Sequence, residues 1–300
     1  MKPTLIILAA GMGSRYGGLK QVDALGSNGE TIIDYSVFDA MRAGFGKIVF
    51  VIRRDIEKDF MDVFGKRFKG KVPFEVVFQE LDMLPDGFKC PTDRTKPWGT
   101  AHAVWVARNV VNESFAAINA DDFYGADAFQ VLAKALSNPN LKKGSYFMVG
   151  YRLGNTLSEQ GSVSRGVCTT DKAAMLQTVV EHTQIERING KVCFHNEQKE
   201  IVVIDENLPV SMNFWGLTPD FFDFTEEMLS GFLSGSISNA KAEFYIPSVV
   251  NKLINEKAAT CQVLPTSAEW FGVTYPGDKP MVVERLKDLV AKKQYPSPLW

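Results

Sequence analysis

The chain has 300 residues, 45% of them hydrophobic and 23% charged, with a formal net charge of −2. A chain of this size can bury a large core without disulfides or a structural metal, and its balanced charge argues against a broad nucleic-acid-binding surface. The four cysteines are scattered and form no C-x-x-C pair, which indicates free thiols. No apolar run approaches the roughly 20 residues of a membrane span, so we expect a soluble, cytoplasmic protein.

Strand-like and helix-like segments alternate through the first half of the sequence. Continuous apolar runs predict buried strands, and an apolar repeat of about 3.6 residues predicts helices. The predicted strands are 5–9, 47–53, 74–79 and 115–120. The predicted helices are 32–43, 56–68, 99–111 and 126–137. Repeated βα units of this kind predict a three-layer α/β/α fold around a mixed, mostly parallel sheet.

After about residue 146 the pattern becomes rich in strands. Short segments separated by turn signals such as Asn189-Gly190 predict a β-rich lobe that covers an edge of the sheet. The predicted strands of this lobe are 146–153, 166–170, 175–182 and 192–194. Helices are predicted again at 221–233, 243–256 and 279–293. Because no repeat or low-complexity linker interrupts the chain, we expect a single domain over residues 1–300.

The strongest local signal is the glycine-rich segment LAAGMGSRYGGLK at 8–20, which follows the first predicted strand. Its glycines let the backbone approach a ligand, and successive N–H groups in such a turn favour an anion. Arg15 and Lys20 add two positive charges. Tyr16 breaks a dinucleotide-binding fingerprint and Leu19 breaks a P-loop, which favours a distinct triphosphate loop. The alternative is a tight turn with two solvated bases.

A second signal is the sequence Asn119-Ala120-Asp121-Asp122, at the end of a predicted strand. Ligands of open α/β sheets collect beyond the carboxyl ends of strands. Mg²⁺ favours one or two carboxylates together with substrate phosphates, so Asp121 and Asp122 are candidate magnesium ligands. The alternative is that one aspartate caps the helix that follows.

Two weaker signals lie between these motifs. The segment WGTAHA at 98–103 begins a predicted helix, where small residues allow a base or a phosphate to approach a helix N-terminus. Gln79 ends a predicted strand and carries both a donor and an acceptor for a base edge. Ordinary helix packing and a surface glutamine are the alternatives.

Together these motifs resemble the nucleotidyltransferase family with the nucleotide-diphospho-sugar transferase fold. The sugar-1-phosphate uridylyltransferases, such as N-acetylglucosamine-1-phosphate uridylyltransferase domains, look closest. The family's loop, L-A-(A/G)-G-x-G-(S/T)-R followed by a lysine, is similar to 8–15 with Lys20, and Asp121 stands where the family places its magnesium-binding aspartate. The segment GTAHA at 99–103 is similar to the family's nucleotide-contacting G-T-x-H-A segment. The short interval from Arg15 to Lys20 also resembles cytidylyltransferases acting on methylerythritol phosphate.

Similarities continue in order along the chain. The segments RGV at 165–167, VEH at 180–182 and MNFWG at 212–216 are similar to parts of the family's sugar pocket. The resemblance therefore implies that Gly166, Glu181 and Asn213 bind the sugar. The segment NAKAEFYI at 239–246 is similar to one that leads into a helix of the same enzymes.

The chain departs from the family in two places. In WFGVTY at 270–275, Gly272 stands where many members have a second metal-binding aspartate, and Thr274 stands where the uridylyltransferases have an asparagine. Thr274 and Asp278 are therefore further candidate metal ligands. The segment 80–97 is longer than is usual in the family and is a candidate lid or specificity loop.

The resemblance implies a Mg²⁺-dependent transfer of a nucleotidyl group from UTP or dTTP, rather than CTP, to a sugar 1-phosphate, with release of pyrophosphate. Residues 1–145 would form a nucleotide-binding half, and residues 146–300 a sugar-binding lobe with the C-terminal helices. Arg15, Lys20 and Asp121 would be catalytic. The residues implied in nucleotide binding are Leu8, Ala10, Gly11, Gly13, Ser14, Gln79, Gly99 and Thr100.

Three alternatives remain open from the sequence. One is a cytidylyltransferase for a phosphorylated alcohol that is not a sugar. Another is a non-catalytic regulatory subunit that binds a nucleotide sugar. The third is a glycosyltransferase of similar fold that uses a D-x-D pair. In each case the expected partners are small molecules rather than nucleic acid or a membrane, and homo-oligomerisation is left open.

Overall fold

A computed structural model of the chain describes residues 1–11, 24–196, 198–273 and 275–300. Its strands are β1 (Thr4–Leu8), β2 (Lys47–Ile52), β3 (Phe74–Phe78), β4 (Phe115–Asn119), β5 (Asp122–Phe123), β6 (Ser145–Arg152), β7 (Val163–Thr170), β8 (Leu176–Ile188), β9 (Lys191–His195), β10 (Ile201–Val203), β11 (Pro209–Leu217), β12 (Thr260–Pro265) and β13 (Phe271–Gly272). Its helices are α1 (Ile32–Ala43), α2 (Glu57–Phe60), α3 (Lys66–Phe68), α4 (Thr100–Trp105), α5 (Ala126–Leu136), α6 (Asp220–Ser236), α7 (Ile246–Asn255) and α8 (Lys279–Ala291). Shorter helical turns are Arg54–Ile56, Met61–Gly65, Leu153–Asn155 and Pro276–Asp278.

Eleven of these strands form one sheet. The first half of the chain supplies a parallel part in the order β3-β2-β1-β4. Strand β11 pairs antiparallel with β4, and β7, β8, β9 and β10 continue the sheet beyond it as antiparallel neighbours. Strand β6 also pairs with β11, and β12 lies parallel to β6. The α/β fold with a mixed sheet is confirmed, and strands β6 to β12 extend the same sheet, whereas β13 pairs with β5 in a separate two-stranded sheet.

Apolar side chains from β1 separate onto the two faces of the sheet. Leu5 and Ile7 belong to one core cluster, which includes residues of α1 and α5, whereas Ile6 belongs to a second cluster, which includes residues of α4, α6 and α7. This alternation is the period of two expected of a strand that is buried on both faces. The two clusters give the three-layer α/β/α arrangement. In the parts of the chain that the structure describes, no helix is long and apolar enough to cross a membrane.

A third apolar cluster joins α8 and the residues after it to the first half of the chain. The ring of Tyr35 on α1 makes edge contacts with Phe123 and Tyr295, at centroid distances of 6.1 and 5.1 Å. The Tyr295 hydroxyl donates to Asp39 Oδ2 on α1 over 2.7 Å. The last helix therefore packs on the nucleotide-binding half that the sequence predicts.

Two predicted helices differ from the observed ones. The helix predicted at 99–111 ends as an α-helix at Trp105, and the chain continues in three-residue turns, with Val110 N donating to Ala107 O. The helix predicted at 56–68 is divided into α2 and α3 by the π-helical turn Met61–Gly65.

Candidate active site

The carboxyl ends of β1 and β4 lie side by side. Leu8 pairs with Asn119 in parallel register, and Ala120 N donates to Leu8 O over 3.2 Å. Gly11, three residues after β1, therefore follows the chain out of the sheet at the same edge as Asp121. Leu8 and Ala10 themselves pack in the second core cluster. The following predicted site residues lie outside the described residues: Gly13, Ser14, Arg15, Lys20 and Thr274.

The acid pair lies directly after β4. Asn119 Nδ2 donates to Asp122 Oδ2 over 2.9 Å, and the Tyr124 hydroxyl lies 3.3 Å from the same oxygen. Burial raises the pKa of Asp122, and the negative charge of Asp121 raises it further, while the hydrogen bond from Asn119 lowers it in part. A divalent cation would relieve this repulsion, because it favours both carboxylates in their charged form.

The acid pair fits a magnesium ion. Mg²⁺ commonly binds one or two protein carboxylates and completes its shell with substrate phosphates and water. Across the described ranges, Asp121 and Asp122 are not joined by further side chains into a cluster of three or more His, Cys, Asp or Glu residues.

Gly272 lies against the acid pair. In the two-stranded pairing of β13 with β5, Gly272 stands opposite Asp122. A Cβ atom at position 272 would lie 2.8 Å from Asp122 Oδ1 and 3.4 Å from Asp121 O. The absence of a side chain at this position is therefore what leaves room for the Asp122 carboxylate.

Asn213 is held in an irregular part of β11. Its φ of 62° is in the left-handed region, and the register of β11 shifts between Ser211 and Trp215. This bulge directs the Asn213 amide to Asn119, whose Oδ1 accepts from Asn213 Nδ2 over 2.6 Å, while Trp215 Nε1 donates to Asn213 Oδ1 over 3.0 Å. Since Asn119 in turn donates to Asp122, the amide of Asn213 helps to fix the acid pair. A rare backbone conformation that the surroundings maintain in this way is typical of functional sites.

A cavity of about 530 Å³ opens beside this network. It brings together five residues that the sequence analysis selected: Thr100, Asp122, Gly166, Glu181 and Asn213. Its walls also contain Arg165, Tyr245, Asn251 and Trp270, to which the sequence analysis gave no role. The motif around Gly166 marks the segment that contains Arg165, but the sequence contains no signal that this arginine is buried beside a cavity.

Gly166 and Glu181 are partners across β7 and β8. A Cβ at position 166 would lie 2.8 Å from Val179 Cγ1 and 3.7 Å from Glu181 Oε2, so the glycine keeps this wall of the cavity open. The Glu181 side chain is exposed at the rim. Partial loss of water around Glu181 raises its pKa, and the positive charge of Arg165 lowers it in part.

Gln79 is buried and its amide orientation is fixed by two neighbours. Gln79 Nε2 donates to Gly99 O over 3.1 Å and lies 3.0 Å from His102 Nδ1. His102 Nε2 lies 2.6 Å from Met83 O, which can only accept, so Nδ1 of the neutral ring accepts from Gln79. Burial lowers the pKa of His102 to about 4, which keeps the ring neutral. Both amide hydrogens of Gln79 are thus used internally, and no donor to Gln79 Oε1 is present in the described part of the chain.

The start of α4 is joined to the segment before α7. Gly99 has a φ of 104°, and a Cβ there would lie 2.5 Å from Phe244 O. Ala101 N donates to Phe244 O over 3.0 Å, and Ile246 N donates to Thr100 Oγ1 over 3.2 Å. The G-T segment is therefore fixed against a part of the chain that also contributes Tyr245 to the cavity.

The segment 80–97 is attached to the same region. Arg94 donates to Asn239 O over 3.1 Å and to Ala242 O over 2.7 Å, and its guanidinium carbon lies 3.4 Å from the centre of the Trp98 ring. Trp98 Nε1 donates to Leu81 O over 2.8 Å. These contacts join both ends of the segment to the body of the protein.

Both carboxylate oxygens of Asp278 accept hydrogen bonds from neighbouring parts of the chain. Its Oδ1 accepts from Ser158 Oγ over 2.9 Å, and its Oδ2 accepts from Tyr275 N over 2.7 Å. The side chain is buried, and the residue immediately precedes α8. Its carboxylate therefore holds the turn before α8 in place.

Solved structures that share this fold include the following three. The inositol-1-phosphate CTP transferase from T. maritima has a TM-score of 0.58 and 15% identity, over 96% of this chain and 97% of that chain. A UDP-glucose pyrophosphorylase complexed with UDP-glucose has a TM-score of 0.59 and 16% identity, over 96% of this chain and 99% of that chain. A protein assigned as a glucose-1-phosphate thymidylyltransferase from Bacillus anthracis, in complex with a sucrose, has a TM-score of 0.61 and 15% identity, over 95% of each chain. At these identities the likeness establishes the fold.

The sequence itself identifies the family. None of the curated protein sequences compared with the chain matches it. A family model described as nucleotidyl transferase matches residues 4–156, which include β1, the glycine-rich segment, the G-T segment and the acid pair. The chain therefore belongs to the nucleotidyl transferase family and is a nucleotidyltransferase.

Proposed function

We propose that the protein transfers a nucleotidyl group from UTP or dTTP to a sugar 1-phosphate and releases pyrophosphate. One observation carries the proposal: a single cavity contains Asp122 at one side, Thr100 of the G-T segment, and the polyol-binding candidates Glu181 and Asn213. A carboxylate and an amide suit the hydroxyl groups of a sugar. The size of the cavity also suits a small phosphorylated acceptor.

The reaction we propose is an in-line attack by a phosphate oxygen of the acceptor on the α-phosphorus, with pyrophosphate as the leaving group. No general base is needed, because the attacking phosphate is already anionic. Gly11, Gly13, Ser14 and Arg15 would hold the β- and γ-phosphates, and Lys20 would stabilise charge at the α-phosphate. The protein lowers the barrier mainly by positioning the two substrates and by offsetting negative charge.

Asp121 and Asp122 would hold Mg²⁺, which supplies positive charge at the phosphate oxygens when it is bound. We propose that Asp122 serves as the second metal carboxylate in place of a residue at 272. Its Oδ1 faces Gly272, where a Cβ would come within 2.8 Å, and its Oδ2 is held by Asn119. Asp278 is less suited, because both of its carboxylate oxygens accept internal hydrogen bonds.

The orientation of Gln79 supports UTP or dTTP as the donor. Both amide hydrogens are used by Gly99 O and His102 Nδ1, so Oε1 is the part of the amide left for a ligand. At position 3 of the base, an acceptor matches the N3–H of uracil or thymine, whereas N3 of cytosine is itself an acceptor and only the 4-amino group of cytosine could donate to Oε1. An unpaired acceptor facing a second acceptor costs about 1–3 kcal/mol. We therefore expect CTP to be a poorer donor.

The expected setting of the reaction follows from the cysteines. Cys90, Cys168, Cys193 and Cys261 are all free thiols in the structure. Free thiols are typical of a reducing compartment, which supports the cytoplasmic location that the sequence predicts.

The test is a matrix of nucleoside triphosphates against acceptors, read as pyrophosphate release with Mg²⁺ or with EDTA. The expected result is turnover with UTP or dTTP and a sugar 1-phosphate, which EDTA abolishes. The Asp121→Asn variant should lose about 10²–10³-fold in rate. Asp62→Asn, at an exposed position paired with Lys66, is the matched control and should keep full activity. Turnover confined to CTP with a phosphorylated alcohol would replace this proposal, as would normal activity of Asp121→Asn.

A further inference from the structure

Arg165 on β7 is a buried cation beside the cavity. Its side chain is only 8% exposed. The guanidinium Nε donates to Thr156 O and Thr156 Oγ1, both at 3.1 Å, and Nη2 also donates to Thr156 O. Nη1 donates to Ser164 O over 2.8 Å, and the guanidinium carbon lies 4.8 Å from the centre of the Trp270 ring. All of these partners are neutral.

Arg165 also lacks a close counter-ion. In the ranges that the structure describes, no carboxylate oxygen lies within 4.0 Å of its nitrogens. The negative charges that favour the charged form of Arg165 are those of Asp122 and Glu181, which act from beyond this distance. Both residues line the same cavity as Arg165. Burial lowers the pKa of Arg165 to about 10, so the side chain is still charged at neutral pH. A buried charge without a paired partner is costly.

The guanidinium retains unused donors. It has five N–H groups in a planar fork. The contacts with Thr156 and Ser164 use the Nε–H, one hydrogen on Nη1 and one on Nη2. The other two N–H groups have no partner in the described part of the chain, and Arg165 is itself part of the cavity wall. A planar pair of donors of this kind matches two oxygens of a carboxylate or a phosphate.

We propose that Arg165 binds an oxyanion of the acceptor, so that the cavity selects an anionic group as well as hydroxyl groups. The inference rests on the proposed function and assigns a specificity-determining residue within it. Two sources share this chemistry: the 1-phosphate that every such acceptor carries, and a carboxylate on the sugar ring. Asp122 and Glu181 repel an anion placed near them, so binding one here requires the charge of Arg165.

The first experiment compares KM values for wild type, Arg165→Gln and Arg165→Lys with two acceptors, glucose 1-phosphate and glucuronate 1-phosphate. Arg165→Gln should raise the acceptor KM roughly 10- to 100-fold, as expected for a lost charge-assisted hydrogen bond. The KM of the nucleotide should stay within about twofold of the wild-type value. General destabilisation of the protein would not raise the KM of the acceptor alone. Arg165→Lys, which keeps the charge, should recover part of the loss. Arg187→Gln, at an exposed arginine on β8, is the control and should change neither KM.

The two acceptors separate the two sources of the oxyanion. If the 1-phosphate is bound, the KM of both acceptors rises in Arg165→Gln. If a carboxylate is bound, only glucuronate 1-phosphate is affected. Unchanged KM values for both acceptors in a folded Arg165→Gln protein would overturn the inference.

A second measurement needs no variant and no activity. Inorganic phosphate and, in a separate sample, glucuronate are titrated into the wild-type protein in EDTA, without nucleotide, and the arginine side-chain ¹⁵N–¹H signals are followed by NMR. The Arg165 Nε–H signal, assigned by its proximity to the Trp270 indole, should shift and saturate with at least one of the two anions. A signal that neither anion moves would overturn the inference. Absence of turnover with every substrate pair would instead overturn the proposed function, and this titration would still test Arg165.

Discussion

Replacement of Gly272 by alanine tests whether the space beside Asp122 matters for catalysis. The added Cβ would lie 2.8 Å from Asp122 Oδ1, whereas ordinary van der Waals contact begins at 3.4 Å. The carboxylate must therefore retreat by about 0.6 Å, or the short strand β13 must move away. Either change disturbs the 2.9 Å hydrogen bond from Asn119 Nδ2 and the position of the proposed metal ligand.

The expected loss follows from this displacement. A misplacement of about 1 Å at a reacting group can cost roughly 100-fold in rate. We therefore expect Gly272→Ala to lower kcat roughly 10- to 100-fold and to raise the Mg²⁺ concentration needed for half-maximal rate. Pyrophosphate release measured over a range of Mg²⁺ concentrations gives both quantities. Folding should be much less affected, because the next two nearest atoms, Asp121 O and Trp270 Cζ2, would each lie 3.4 Å from the new methyl group, at an ordinary van der Waals distance.

Gly231→Ala is the matched control for this substitution. Gly231 lies inside α6, and a Cβ there meets no atom within 4 Å. The same chemical change should leave kcat and the Mg²⁺ dependence unchanged, and should stabilise the helix by about 0.5–1 kcal/mol. If Gly272→Ala behaves like Gly231→Ala in the Mg²⁺ titration, the proposed role of Asp122 as a metal ligand is wrong.

Three further predictions concern the nucleotide side. The pKa of His102 is about 4 in the folded protein and 6.5 for the free side chain. Between these pH values the unfolded chain binds more protons than the folded protein, so the free energy of unfolding should fall by about 3 kcal/mol as the pH falls from 6.5 to 4. Chemical denaturation at pH 5 and pH 7 should show this pH dependence of stability in the wild type and in the control His195→Gln, whose position is partly exposed. In His102→Gln the free energy of unfolding should depend less on pH. Gln79→Ala should reduce the preference for UTP over CTP, as measured by the ratio of kcat/KM values, and an unchanged ratio would exclude base recognition by Gln79. Arg94→Ala should lower the free energy of unfolding by about 1–3 kcal/mol, because the carbonyl groups of 239 and 242 lose a charged donor. A melting temperature equal to that of the wild type would contradict this prediction.

Local sequence signals predicted those elements whose ends are set by capping or turn residues. Helix α1 begins after Thr31, which forms a capping box with Asp34, and ends at Gly44 in the left-handed region, as the predicted limits of 32–43 require. The turn at Asn189-Gly190 has positive φ at both residues, as a tight hairpin requires. The apolar pattern did not give the bounds of strand β11, and only the resemblance marked its part 212–216, because the alternation of apolar and polar residues ends at Phe214 and the strand is buried on both faces from there to Leu217.

The site was predictable only as separate fragments. Asp122 follows a strand that the sequence predicts, and Gly166 and Glu181 lie in motifs that a resemblance could mark, yet they meet only because β11 pairs with β4, β6 and β7. Such pairing depends on register between distant strands, which a single sequence does not specify. The importance of Arg165 depends on its burial and on the distance to its nearest carboxylates, and both are properties of the folded chain.

The third apolar cluster has a consequence for synthesis of the chain. Tyr35 and Phe123 emerge from the ribosome early, but their partners Phe271, Leu286 and Tyr295 are translated more than 140 residues after Phe123. Until then the nascent chain exposes aromatic rings that the finished enzyme hides, and β5 lacks its pairing strand. Contacts between such distant residues close slowly. Asp121 and Asp122, the proposed metal ligands, should therefore acquire their final arrangement late, and a chaperone that covers aromatic surfaces should raise the yield of active protein.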